Sequence, residues 1–454
     1  MALKPRPGPA SYPARSILAR DEAVDTFAIG LSCVRCGARY PLLARAACSS
    51  CLTGLDAPSI EDSSLSQTLA VEYDLDALRR SLDRDRLRSR PSGLWKWAEL
   101  LPVADPACRI DVGAGGTRLV TLTRLDESLP VRVLAKVEGQ NPTGSFKDRP
   151  IGIAASVAQA LGARTLACMT SGNIGSAMAA AAARAGLPAV IFLLASGGVS
   201  AGLQVNLEKL GQMRAYGARV LCPEASVLTL TRLAAALTRE LGWTWMHDLP
   251  AYQAEGDKTT AFEIAEQLGW DPPECVVVPA GTGTNLFGIW KGFDELQRLG
   301  FTTRVPRIVA VQPAGADPMV EALRRGDAVM RPLDAVRPNI ALPITHRVTG
   351  HHAYESVRQT GGTAVAVTDS EIRHALLDLA GREGIYCEPA SAAALAGARK
   401  LVEMGALEPG SRVVCVLTSH GLKDGRAIGS WFGSAVPVEA TLDAIRRAVA
   451  RPAG

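Results

Sequence analysis

Short apolar, β-branched runs recur along the chain from about residue 101 onward. They fall at 131–137, 166–170, 190–194, 220–222, 276–279, 308–311, 364–367 and 413–417. Segments with helical spacing lie between them, at 151–161, 175–185, 203–216, 259–268 and 369–383. Runs of this length and makeup read as strands buried on both faces. Their alternation with helices predicts βαβ units, hence an α/β fold with helices on both faces of a parallel sheet. In such sheets ligands bind beyond the carboxyl ends of the strands, so the residues just after each run are the ones to inspect.

The first hundred residues do not follow this rhythm. Residues 1–26 are rich in Pro and Arg and read as a flexible tail without the apolar stretch of a secretory signal. Residues 27–55 form a small cysteine-bearing unit. Residues 56–100, with Arg79-Arg80 and Asp83-Arg84-Asp85-Arg86, read as one polar helix and a connector. A core over 101–430 follows, then a C-terminal helix within 431–454.

Composition narrows the function class. Of 454 residues, 47% are hydrophobic and 21% charged, with a net charge of +4. That near-neutrality argues against nucleic-acid binding, and no apolar run reaches membrane-spanning length. Six of the ten cysteines are scattered, several inside apolar strands, which fits a reducing, cytoplasmic setting. The other four form two knuckles, Cys33-x-x-Cys36 and Cys48-x-x-Cys51, with Gly37 supplying a free turn. Four thiolates at this spacing suit one tetrahedral, structural Zn²⁺; a disulfide pair or free thiols are the alternatives.

Four loops after strands carry candidate chemistry. In Asn141-Pro142-Thr143-Gly144-Ser145-Phe146-Lys147-Asp148-Arg149, Lys147 opens a helix whose positive end disfavours its charge; it is either a Schiff-base lysine or a plain solvated lysine at a helix start. Ser145 and Asp148 read as a capping-box-like pair on that helix. Thr170-Ser171-Gly172-Asn173 opens an Ala-rich helix and can either cap it or hold a carboxylate. Gly281-Thr282-Gly283-Thr284-Asn285 is either a plain turn or a nest of N–H groups for a phosphate. Thr418, at the end of the last core strand, either terminates it or offers a hydroxyl to a ring nitrogen. His351-His352 lacks metal-ligand spacing.

Taken in order, these loops, with Glu255-Gly256-x-Lys258-Thr259, Trp290-Lys291-Gly292-Phe293, Glu388-Pro389-Ala390-Ser391-Ala392 and Thr418-x-His420-Gly421-Leu422-Lys423-Asp424, resemble the threonine synthase family of fold type II (tryptophan-synthase-β-like) pyridoxal-phosphate enzymes. The resemblance spans about residues 101–430, and the cysteine knuckles also look like those of many members. It implies two parallel-sheet αβα domains, the smaller over about 145–250, behind a zinc-ribbon-like segment. It implies that Lys147 carries pyridoxal 5′-phosphate and shuttles protons, with Phe146 beside the ring. Asn173 would meet the phenolic oxygen, Gly281, Thr282, Gly283, Thr284 and Asn285 the phosphate, and Thr418 the pyridine nitrogen. Thr170, Ser171, Gly172 and Asn173 would bind an amino-acid substrate. The implied reaction turns O-phospho-L-homoserine and water into L-threonine and phosphate, in a homodimer.

The chain departs from the family at the substrate end. Thr117-Arg118-Leu119 stands for Thr-Pro-Leu, Pro150 for Gly, and Thr418-Ser419-His420 for Thr-Gly-His; the segment 344–352 replaces Ile-Gly-Asn-Pro. Arg118, Arg347, His346, His351 and His352 could then form an anion pocket for another acidic substrate. β-Replacement or β-elimination on O-phospho-L-serine or a related amino acid is the competing expectation, ahead of a non-catalytic cofactor-binding protein.

Overall fold

The computed structural model describes residues 26–43, 45–53, 63–126, 129–194, 206–223, 227–425, 431, 435 and 437–450. The expected tail lies almost wholly outside them.

Strands β1 (Ala28–Cys33), β2 (Arg39–Tyr40) and β3 (Leu69–Tyr73) form a small antiparallel sheet in the order β2-β1-β3. β4 (Leu119–Thr121), β5 (Arg132–Val137), β10 (Cys275–Pro279), β11 (Arg307–Pro313), β12 (Thr363–Val367) and β13 (Arg412–Leu417) form the large sheet in the order β12-β11-β10-β13-β5-β4. All its pairs are parallel except edge strand β4. Between β5 and β10 the chain builds a second, all-parallel sheet from β6 (Leu166–Thr170), β7 (Ala189–Leu193), β8 (Arg219–Leu221) and β9 (Thr244–Trp245), in the order β8-β7-β6-β9.

Why the central strands are rich in Val follows from this layering: helices cover both faces, so every residue of β10 is buried. Packing is tight enough to dictate composition. A Cβ on Gly397, in the Pro389–Glu403 helix, would lie 2.3 Å from Val311 Cγ2 on β11.

Two expectations give way. The stretch read as one helix and a connector contains β3, in register with β1 through Leu31↔Val71 and Ser32↔Ala70, followed by helices Leu75–Ser81 and Arg84–Arg88. Leu69, Ala70, Val71 and Tyr73 are all buried, so no polar alternation marks the strand. Ser145 caps nothing: its buried hydroxyl has no partner. The Asp148 carboxylate instead accepts from Thr143 N–H and Thr143 Oγ1, both at 2.7 Å, closing the loop on itself.

Candidate active site

β13 lies between β5 and β10, all parallel, so the loops leaving their carboxyl ends stand side by side. Backbone bonds stitch two of these loops together: Phe146 N–H donates to Thr418 O (2.8 Å) and His420 N–H to Gly144 O (2.9 Å). Gly139 permits the approach, since a Cβ there would lie 2.8 Å from His420 N.

Beneath the loop lies a saturated charge network. Arg149, fully buried, donates from Nε to Glu138 Oε2 and from Nη1 to Glu263 Oε1, both at 2.7 Å. Lys136 Nζ meets Glu263 Oε2 at 2.7 Å. Burial alone would raise the Glu263 pKa, but Arg149 and Lys136 hold it far below the usual carboxylate range. This network anchors the first turn of the Asp148–Ala160 helix, and so the residue just before it, Lys147.

Lys147 is half-buried, with Nζ 4.3 Å from the centroid of the Phe146 ring. Burial lowers its pKa, against the opposing pull of Asp257. His346 is likewise held below the ordinary imidazole value, by burial and then by Lys147. His247 is held well below the ordinary imidazole value by desolvation and then by Lys147.

The other loops carry polar atoms without protein partners. Asn173 starts the Asn173–Ala185 helix; its Oδ1 is buried and unpaired, and its Nδ2 reaches Glu388 only at 3.3–3.4 Å. Thr170 Oγ1 accepts from Gly172 N–H at 3.0 Å, shaping the turn, and Ser171 is exposed. Lys209 lies against Gly172 and pairs with Glu388 at 2.9 Å. Gly281 and Gly283 admit no side chain: a Cβ on the first would lie 2.6 Å from His346 Cδ2, on the second 2.5 Å from Ala353 Cβ. Gly283 has φ +90°, and Thr284 begins the Thr284–Arg298 helix. Thr282 O accepts from Gly350 N–H, and Thr284 Oγ1 meets Gln67 Oε1 at 3.2 Å. Both amide atoms of buried Asn285 lack a partner. Thr418 Oγ1 is 2.9 Å from Ser391 Oγ. A helix N-terminus, a glycine turn and unpaired amides can hold an anionic, ring-bearing group beside a lysine of lowered basicity.

The five residues suggested for an anion pocket differ in their surroundings. Arg118 and Arg347 are exposed, the latter donating from Nε to Leu333 O. His351 and His352 are buried at the start of the His351–Gln359 helix, with the His352 ring 4.5 Å from that of Phe287. Of these three histidines, His346 is the one whose pKa Lys147 lowers. Sequence reasoning passed over Asp257, His247 and Lys209, which no strand-end motif marks.

The cysteine unit has its own geometry. Sγ atoms of Cys33 and Cys51, and of Cys36 and Cys48, are 3.6 Å apart, and all four lie within 4.8 Å of one another. No disulfide joins them. A tetrahedral site with Zn–S of ~2.3 Å needs S···S near ~3.8 Å, so the set fits a metal.

Among the described residues no helix is long and apolar enough to cross a membrane. The "Pyridoxal-phosphate dependent enzyme" family matches residues 110–419. Threonine synthase of Methanosarcina acetivorans is 36% identical over 422 residues, covering 92% of this chain and 98% of the relative. That of Methanocaldococcus jannaschii is 35% identical, covering 84% and 92%. Among solved structures, threonine deaminase isoform 2 from Solanum lycopersicum superposes with a TM-score of 0.60 at 19% identity, covering 75% of this chain and 95% of that one. Maize serine racemase does so at 0.59 and 21%, covering 69% and 91%. These two likenesses show the fold. The chain belongs to the fold type II pyridoxal-phosphate-dependent enzymes, with the threonine synthases as its relatives, and is a pyridoxal-phosphate-dependent lyase.

Proposed function

We propose that this lyase converts O-phospho-L-homoserine and water to L-threonine and phosphate. The observation that carries the reading is the match to threonine synthases over nearly the full chain, joined to strand-end loops that bear Lys147 and the unpaired, buried amide atoms of Asn173 and Asn285. Those orphaned atoms fit the cofactor. In this reading Lys147 bonds it, Phe146 flanks it, Asn173 meets its phenolic oxygen, residues 281–285 hold its phosphate through N–H groups, and Thr418 faces the ring nitrogen. Bound there, pyridoxal phosphate supplies an electron sink for carbanions beside the substrate amine. A neutral hydroxyl at Thr418 tempers that sink and favours elimination and replacement over transamination.

Lys147 Nζ takes the Cα proton, a role its lowered basicity favours. Thr170, Ser171, Gly172 and Asn173 bind the substrate carboxylate at a helix N-terminus. Cys33, Cys36, Cys48 and Cys51 hold one structural Zn²⁺, away from the chemistry.

His346 favours keeping the serine ester in view, since it brings the departing 344–352 segment next to Lys147. The test is phosphate release from O-phospho-L-homoserine and O-phospho-L-serine side by side, with products identified. Threonine from the homoserine ester supports the reading. Release from the serine ester alone overturns it in favour of β-chemistry.

A further inference from the structure

The Gly281–Asn285 loop is not closed by its own stretch of chain. Gln67 lies outside residues 110–419, between the Ser64–Ser66 turn and strand β3, and its side chain meets that loop at Thr284. Its place is fixed from several sides. Leu69 pairs with Cys33 of β1, and Val34 N–H donates to Thr68 O at 2.8 Å. Ser64 Oγ donates to Met330 O at 3.2 Å. Gln67 O accepts from His352 N–H at 3.1 Å. The His351–Gln359 helix starts after Gly350, which has no side chain to satisfy the first free N–H groups, so the Gln67 carbonyl caps it.

Gly350 lets the segments meet: a Cβ there would lie 2.8 Å from Gln67 Cβ. The same glycine donates its N–H to Thr282 O at 2.9 Å. Gln67 thus braces the starts of two helices, His351–Gln359 through its backbone and Thr284–Arg298 through its amide. Between them lies the loop with φ +90° at Gly283 and the unpaired, buried amide of Asn285.

The amide does more than fill space. Thr284 Oγ1 donates to Gln67 Oε1 at 3.2 Å. A half-turn of the amide puts Nε2 in that place; Nε2 then donates to the hydroxyl oxygen and frees its hydrogen for an anion. We propose that Gln67 is a positioning residue for the cofactor's phosphate: the N-terminal segment completes the anion cup, and the Gln67 amide aims the Thr284 hydroxyl into it. This rests on the reading of residues 281–285 as the phosphate loop.

The test compares pyridoxal phosphate with pyridoxal, which lacks the phosphate. The full-length chain, freed of cofactor, is titrated with each, and binding is followed by long-wavelength absorbance. Gln67→Met keeps the bulk and removes the amide; it should weaken pyridoxal phosphate about three- to tenfold, the scale of one neutral hydrogen bond. Gln67→Glu puts an anion beside the cup and should weaken it about tenfold or more. Neither should change pyridoxal binding, and Tm shows that both variants fold. Pyridoxal phosphate unmoved in folded variants, or both ligands weakened alike, overturns the inference. Thr284→Asp, inside the loop and favourable at a helix start, separates the two readings. It should weaken pyridoxal phosphate alone. If it spares the preference for the phosphate, the loop reading itself falls; if it abolishes that preference while the Gln67 variants keep it, only the role of Gln67 falls.

Discussion

Lys147 and Arg149 stand two residues apart and live in opposite chemical worlds. Around Arg149 every donor and acceptor is matched: Glu138, Glu263, Thr117 and Thr259 occupy its guanidinium, and Lys136 completes the set. Around Lys147 the protein leaves atoms unmatched: Ser145 Oγ, Asn173 Oδ1, both ends of Asn285 and both oxygens of Asp257. A closed network specifies a structure, whereas open valences specify a ligand. The rigid half holds the needy half in place.

The largest break in that contrast is Lys147→Ala. Activity should fall by about 10⁴-fold, the upper range for losing a proton-transfer group, while Tm stays near wild type because no packed partner is lost. A steady-state assay beside a melting curve checks both; a large drop in Tm would make Lys147 scaffold rather than site. Arg149→Met should do the reverse. It leaves Glu138 and Glu263 buried without their cation, costing about 3–5 kcal/mol of stability. Denaturant titration reads that loss, and any remaining folded fraction should still bind cofactor.

How much of this was open to a reader of the chain depends on the type of signal. β6 is Leu166–Thr170 in both reading and structure, because its apolar run is short and bounded by a polar helix start. β3 escaped because its partner, β1, lies far back in the chain, and pairing rather than periodicity makes it a strand. Ser145 misled because its position copies a capping pattern, while Asp148 bonds back to Thr143, a choice made by the loop. Asp257 hid inside Glu255-Gly256-x-Lys258-Thr259, at the unspecified position. Its close packing against Gly288 on another helix is a tertiary contact, and no local pattern carries that.

The smallest effect sharpens the comparison from outside. Cys48→Ser should remove about one equivalent of zinc, the stoichiometry of a four-thiolate site, as read by metal analysis. The N-terminal sheet should become sensitive to protease, with turnover largely kept. Loss of turnover equal to that of Lys147→Ala would tie the cysteine unit to the cleft.

Strand β13 has a consequence for how the enzyme comes to exist. It fills the middle of the large sheet, and its partner β5 lies about 280 residues earlier in the chain, an unusually non-local pairing. At ribosomal rates that gap corresponds to roughly 15–60 s of synthesis. Throughout that interval β5 presents a bare edge toward the vacant lane, joined by β10 from about the midpoint, while the four-stranded sheet, built from neighbours in the chain, can already close. The nascent enzyme thus carries a finished lobe and an unfinished one. Its exposure to aggregation ends, and its lysine first meets Thr418, only when the final core strand slots in.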